Sequence, residues 1–190
     1  LKFFLVTLLI SLSACNLPTP VTSTPIISEE VPDSQVAAMR QLEADSETPP
    51  DLYFQDGFPR FVSGSFLVEG ADVVERARNF LETYQELYRI ANPDLELDVR
   101  RVSEGEAETN VAFFQTYKSV EVFASEIVVT LNADRVYATV GGLLNGDLVL
   151  DTTPSLSAIQ AQESAITYLG WSNALVAGRT TLMIFDQNLV

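Results

Sequence analysis

Four β-rich segments, 95–102, 110–117, 120–131 and 135–143, follow one another with their turns confined to residues 105–108, 118–119 and 132–134. Parallel neighbours need a crossover of a dozen or more residues, so connectors this short dictate antiparallel hairpins and a four-stranded meander. Such a sheet has to bury one face. The element suited to cover it lies just upstream: Asp72 opens a capping-box pattern with Glu75, and Val73, Ala77, Phe80, Tyr84 and Leu87 recur at helical spacing. A helix is predicted over 72–90, stopped by Asn92-Pro93, with Glu75, Arg76, Arg78, Glu82 and Glu86 as its solvated face. A strand at 60–68 precedes it. The fold class expected is α+β, an antiparallel meander packed against one amphipathic helix.

Composition narrows the chemistry. The 190 residues include no histidine and one cysteine, and 26 acidic residues against 11 basic ones give a net charge of −15. Histidine triads, imidazole general bases and zinc sites with imidazole ligands are therefore excluded within this chain. A strongly acidic surface also speaks against nucleic acid as a partner. With 47% hydrophobic residues the chain is too apolar to be an acidic disordered segment.

The N-terminus reads as an address. Lys2, the apolar run from Phe3 to Leu12, and then Ser13-Ala14-Cys15 give a positive region, a hydrophobic region and small residues before a cysteine. The stretch is too short to span a bilayer and resembles a bacterial lipoprotein signal, with Leu12, Ser13, Ala14 and Cys15 as the lipobox. The resemblance implies cleavage before Cys15, lipid on that residue, and a protein exported and anchored to the cell envelope. Leu1 in place of Met points to a non-standard start or to residues missing upstream.

Residues 16–58 hold Pro18, Pro20, Pro25, Pro32, Pro49 and Pro50 among Ser, Thr and acidic residues, the composition of a tether. Val36, Met39 and Leu42 give 34–44 a weak helical pattern. The expected division is a signal over 1–14, lipidated Cys15 and tether to 58, a compact domain over 59–150, and a partial second domain over 151–190. That last part has a helix at 157–169, with Ser157 and Gln160 as a capping box and Gly170 as C′, and a strand at 180–185.

The hairpin segment carries a second resemblance. In VAFFQTYKSVEVFASEIVVTL, Phe113, Gln115, Tyr117, Val120, Val122, Phe123, Ala124 and Glu126 fall in register with the fungalysin/thermolysin propeptide motif of secreted zinc metalloprotease pro-regions. The chain departs from it at Ser119 and Glu121, where the family has Gly and Pro, and at Asp134-Arg135, which lacks the usual intervening Gly. Ser119 or Asp134 would then have to supply positive φ. The resemblance implies a cystatin-like propeptide domain followed by the opening helix and strand of a PepSY domain, within which the chain ends. It also implies a function: intramolecular chaperone and inhibitor of a lipid-anchored metalloprotease whose zinc-bearing catalytic part is absent from this chain. The partner would be that catalytic domain, in cis or in trans.

From the residues alone, period-two spacing favours Phe113, Tyr117 and Phe123 as sheet core, while Gln115 and Glu126 read as hairpin caps or partner contacts. Catalytic, metal and cofactor residues are not expected. The Glu104, Glu106 and Glu108 run reads as a solvated loop, Gly141-Gly142 as a bulge or turn, and Trp171 beside Tyr168 as a packing anchor. Two further readings remain at this stage: a stand-alone surface lipoprotein that binds or inhibits a protease or other protein in trans, and an enzyme using Glu121 and Glu126 as acid and base.

Overall fold

The computed structural model describes residues 31–143, 148–170 and 179–186. The lipobox residues Leu12, Ser13 and Ala14, Cys15 and Trp171 lie outside them. In chain order the elements are α1 (Asp33–Asp45), β1 (Asp51–Gln55), β2 (Phe58–Leu67), α2 (Val73–Thr83), α3 (Gln85–Tyr88), α4 (Pro93–Glu96), β3 (Leu97–Glu104), β4 (Thr109–Tyr117), β5 (Val120–Asn132), β6 (Arg135–Gly142), α5 (Ala158–Leu169) and β7 (Met183–Ile184). The protein is α+β.

The meander forms as its short turns require: β3, β4, β5 and β6 pair antiparallel in sequence order. Its turns take left-handed backbone at Lys118 (φ 48°) and Ser119 (φ 65°), and at Ala133 (φ 53°) rather than Asp134. The sheet is wider than a meander, however. β2 adds antiparallel to β6 and β1 to β2, giving the order β1-β2-β6-β5-β4-β3, while β7 pairs parallel with the first half of β5.

Residues 33–58 are therefore not tether. Asp56 (φ 52°) and Gly57 (φ 76°) make a two-residue turn that pairs β1 with β2. Upstream, α1 buries Ala38 and Leu42 in the main core and packs on α3. Gln35, only 1% exposed, donates from Nε2 to the Gly57 carbonyl at 2.8 Å and the Leu87 carbonyl at 2.9 Å, tying α1 to the hairpin and to α3. Tyr84 adds a bond to Asp45 at 3.0 Å and Arg135 an ion pair to Glu47 at 2.8 Å.

The helix expected over 72–90 is broken. Asp72 caps α2 by accepting from the Glu75 amide, but the helix yields at Tyr84, restarts as α3, and ends at Arg89 in left-handed backbone (φ 54°). Asn92 then caps α4, with Pro93 at its start, and that short turn leads into β3. Phe80, Tyr84 and Tyr88, spaced by four, form a run of rings with Phe66 of β2 set against Phe80 and Tyr84; the contacting ring centres lie 4.9 to 6.5 Å apart.

Arg78 also departs from expectation. It does not face solvent; its Nη1 donates to the Pro93 carbonyl at 2.7 Å and the Leu97 carbonyl at 2.9 Å, and its guanidinium lies 5.2 Å from the Phe113 ring centre. One helix face thus covers the sheet through Ala77, Phe80 and Leu81, against Val111 and Phe113 of β4 and Ile127 and Val129 of β5.

The capping box at Ser157 and Gln160 and the left-handed Gly170 (φ 67°) bound α5 as expected, but α5 buries no residue. The strand expected at 180–185 is shorter, only Met183–Ile184.

Candidate functional site

The hairpin of β4 and β5 holds all the motif residues. Its register is regular from Thr109↔Leu131 to Phe114↔Glu126 and resumes at Thr116↔Glu121, so residues 122–125 stand opposite Gln115 alone. Within this bulge Ala124 takes left-handed backbone (φ 60°), the conformation that G1-type bulges use. That is the position where the propeptide motif allows Gly or Ala. An L-residue there costs about 1 kcal/mol. The bulge is fastened from inside: Ser125 is fully buried, and its Oγ accepts the Gln115 amide at 3.2 Å and donates to Gln115 Oε1 at 3.4 Å.

Around this bulge the motif residues divide by role. Phe113, Gln115 and Val122 are buried. Phe113 belongs to the main core, so for it the packing alternative holds. Tyr117 and Phe123 are not core. The Tyr117 hydroxyl accepts the Leu150 amide at 3.3 Å, and Lys118 Nζ donates to the Leu150 carbonyl at 3.1 Å while lying 4.9 Å from the Tyr117 ring centre. The Leu150 amide and Lys118 together hold the Tyr117 hydroxyl below its ordinary pKa.

Phe123 stacks on Phe185 at 5.9 Å, and Val122 pairs with Ile184 of β7. Val120 lines a groove of about 190 Å³ between residues 150–154 and 182–185. The hairpin therefore grips the two stretches of chain that flank α5. Asp151 steadies the first of these by accepting the Thr153 amide at 2.9 Å, a bond that lowers its carboxyl pKa.

Glu126 is engaged on the sheet's other side. A second bulge, at Arg100 between Val99 and Arg101, projects two consecutive arginines toward β5. Arg100 bonds Glu121 at 2.7 Å and Glu126 at 3.1 Å, Arg101 reaches Glu126 at 3.3 Å, and the Arg100 guanidinium lies 4.8 Å from the Phe114 ring centre. An acid and base pair for glycoside-type hydrolysis needs one carboxyl kept protonated beside a substrate cleft. Here Arg100 bonds both carboxylates, and Arg101 adds a further contact to Glu126. Glu121 and Glu126 are built as an ion-pair network.

No family model matches the chain, nor does any curated protein or solved structure.

The hairpin thus gathers every predicted motif position, though not onto one surface. Sequence reasoning missed Ser125, Arg100, Arg101, Leu150 and Phe185. The bulge residues give no periodic signal, and the partners Leu150 and Phe185 come from stretches distant in sequence, one on each side of α5. Gly141 does carry a readable reason: at φ 149° it passes so close to β5 that a Cβ would run into the Glu126 carbonyl. Among the described residues no group of three or more His, Cys, Asp or Glu could hold a metal ion, and no helix is long and apolar enough to cross a membrane.

Proposed function

We propose that this chain is the pro-region of a secreted, lipid-anchored metalloprotease precursor of the thermolysin/fungalysin type. In this reading it holds and inhibits a catalytic domain that is not in the chain. The observation that carries the reading is the β4–β5 hairpin, where Phe113, Gln115, Tyr117, Val120, Val122, Phe123, Ala124 and Glu126 build one bulged unit with left-handed backbone at the motif's Gly or Ala position. The finer assignments belong to the same reading: a cystatin-like propeptide domain, with α5 and β7 opening a PepSY-like second one. The grip of the hairpin on both flanks of α5 gives the motif a physical role, that of setting the second unit against the first.

The function follows from linkage. A surface that binds only the folded catalytic domain stabilises it, and the same contact covers its cleft. Joined in one polypeptide, the two parts meet at an effective concentration on the order of 1 mM. Even a micromolar affinity then stabilises the folded partner by about 4 kcal/mol. Zinc would sit in that catalytic domain, and lipid on Cys15 would hold the assembly at the envelope.

Reading the coding frame beyond Val190 tests the proposal. An open frame leading to a domain with H-E-x-x-H is the expected result. A stop codon directly after Val190 would remove the precursor and leave a lipoprotein acting on proteases in trans.

A further inference from the structure

Strand β6 ends in two glycines, and the second gives room to a side chain from β2. A Cβ on Gly142 would collide with Nη1 of Arg60, so bare backbone is the seat on which that guanidinium lies. Arg60 reaches the seat from a bulge: Tyr53 pairs with Phe61 and Phe54 with Pro59, which leaves Arg60 with no residue opposite on β1. Gly142 stands opposite Glu126 and Val140 opposite Val128, whereas Ile127 between them is buried in the core. Side chains alternate along a strand, so the guanidinium lies on the face turned away from the helices, beside Phe61 and Val140, which pair with each other.

Other partly buried arginines are satisfied within the fold. Arg76 bonds the Gly70 carbonyl, Arg78 the carbonyls of Pro93 and Leu97, and Arg135 the side chains of Glu47 and Ser65. Among the described residues none accepts a hydrogen bond from Arg60 or pairs with its charge, and its Nε is closed off from solvent as well. A chain with 26 acidic residues has no shortage of acceptors. Glu126, across from the seat, is already taken by Arg100 and Arg101. A shielded donor on a fixed cation is costly to leave unmet, and a ligand that brings the acceptor is one reason a fold keeps it.

We propose that Arg60 receives a carboxylate from a bound peptide, a segment with one acidic side chain among bulky apolar ones. A guanidinium is a planar fork of donors that matches a carboxylate in two bonds. One cation also sets the charge of the ligand. A phosphate, or a run of acidic residues, carries more charge than Arg60 neutralises and would face the chain's net −15. The apolar part has its own place: Tyr53, Phe61 and Val140 stand opposite one another on three adjacent strands, 59%, 37% and 51% exposed. Two strand spacings make about 10 Å, the length of about three extended residues. A small molecule needs a concave pocket that encloses most of it, whereas an open row of this kind suits a peptide. The inference is independent of the pro-region reading.

The test is binding of the peptide fluorescein-Gly-Val-Phe-Glu-Phe-Val-amide to the full-length chain in detergent, read by fluorescence anisotropy and corrected for empty micelles. Its counterpart with Gln in place of Glu is the comparison. The Glu peptide is expected to bind with a Kd below about 1 mM, and the Gln peptide at least about tenfold more weakly, a difference of about 1.4 kcal/mol. That change lies in the peptide, so it does not depend on how a variant folds. Arg60→Gln should abolish the preference for Glu, and Phe61→Ala should weaken both peptides alike, with circular dichroism unchanged in each. Equal binding of the two peptides by the wild-type chain, binding of neither, tighter binding when phosphoserine replaces the Glu, or an undiminished preference in a folded Arg60→Gln variant overturns the proposal.

Discussion

Replacing Leu42 by Ala tests whether α1 belongs to the folded domain. Leu42 has no exposed surface and packs in the main core, in a helix whose Gln35 is bonded to both Gly57 and Leu87. Truncating a fully buried leucine costs about 3 kcal/mol, within a usual range of about 2 to 5, because transfer energy and cavity energy add. A domain has only about 5 to 15 kcal/mol to lose. With a urea slope of about 1.5 kcal/mol per molar, the midpoint of unfolding should fall by about 2 M. Glu43→Ala, on the exposed side of the same helix, should change stability by less than about 0.5 kcal/mol. Urea unfolding of both variants, followed by circular dichroism, makes the comparison. Equal midpoints would show that residues 33–45 contribute nothing to the core and refute the packing argument.

Other perturbations follow from the same geometry. Ala124→Gly should raise stability by about 1 kcal/mol, because glycine adopts the left-handed conformation without strain, less the entropy it gains when unfolded; a lower melting temperature would contradict the bulge assignment. Burial foremost raises the hydroxyl pKa of Tyr84 and Tyr88 above the ordinary 10.0, with Asp45 adding to the effect at Tyr84. The stabilisation from keeping these hydroxyls protonated is complete below pH 10.0 and is lost as pH climbs past it. Tyrosinate absorbance from these two should therefore appear only together with loss of the circular dichroism signal, and Tyr84→Phe should move that transition to higher pH. Cys15→Ser should release the protein from the membrane fraction; a mutant that still partitions with membranes would rule out lipid attachment at Cys15.

The meander was legible because its apolar periodicity and short turns leave few alternatives, and α2 and α5 because Asp72 and Ser157 are capping residues that bond as such. Residues 33–58 were not. The buried face of α1 runs through Gln35, Ala38 and Leu42, and a buried glutamine satisfied by distant carbonyls reads as polar surface in a sequence. Asp56-Gly57 between two apolar runs was the available signal for β1. Proline-rich composition on both sides outweighed it. Arg78 misled similarly, because helical spacing cannot tell an exposed cation from one whose carbonyl partners arrive with α4 and β3. At the candidate site the motif positions were found, but their division was not. Whether Glu126 meets a partner or Arg100 depends on two bulges, and a bulge reverses which side chains share a face.

The central claim is that this chain holds and inhibits a metalloprotease catalytic domain, and an inhibition titration tests it most directly. The full chain would be added to the H-E-x-x-H domain encoded downstream of Val190 or, where the frame closes there, to secreted thermolysin-type peptidases of the same cell, with peptide hydrolysis as the readout. The account predicts that hydrolysis falls to completion as the chain approaches equivalence with the enzyme, and that Phe123→Ala and Tyr117→Ala, which loosen the hairpin's grip on Phe185 and Leu150, weaken the effect. Hydrolysis unchanged at every ratio would contradict it.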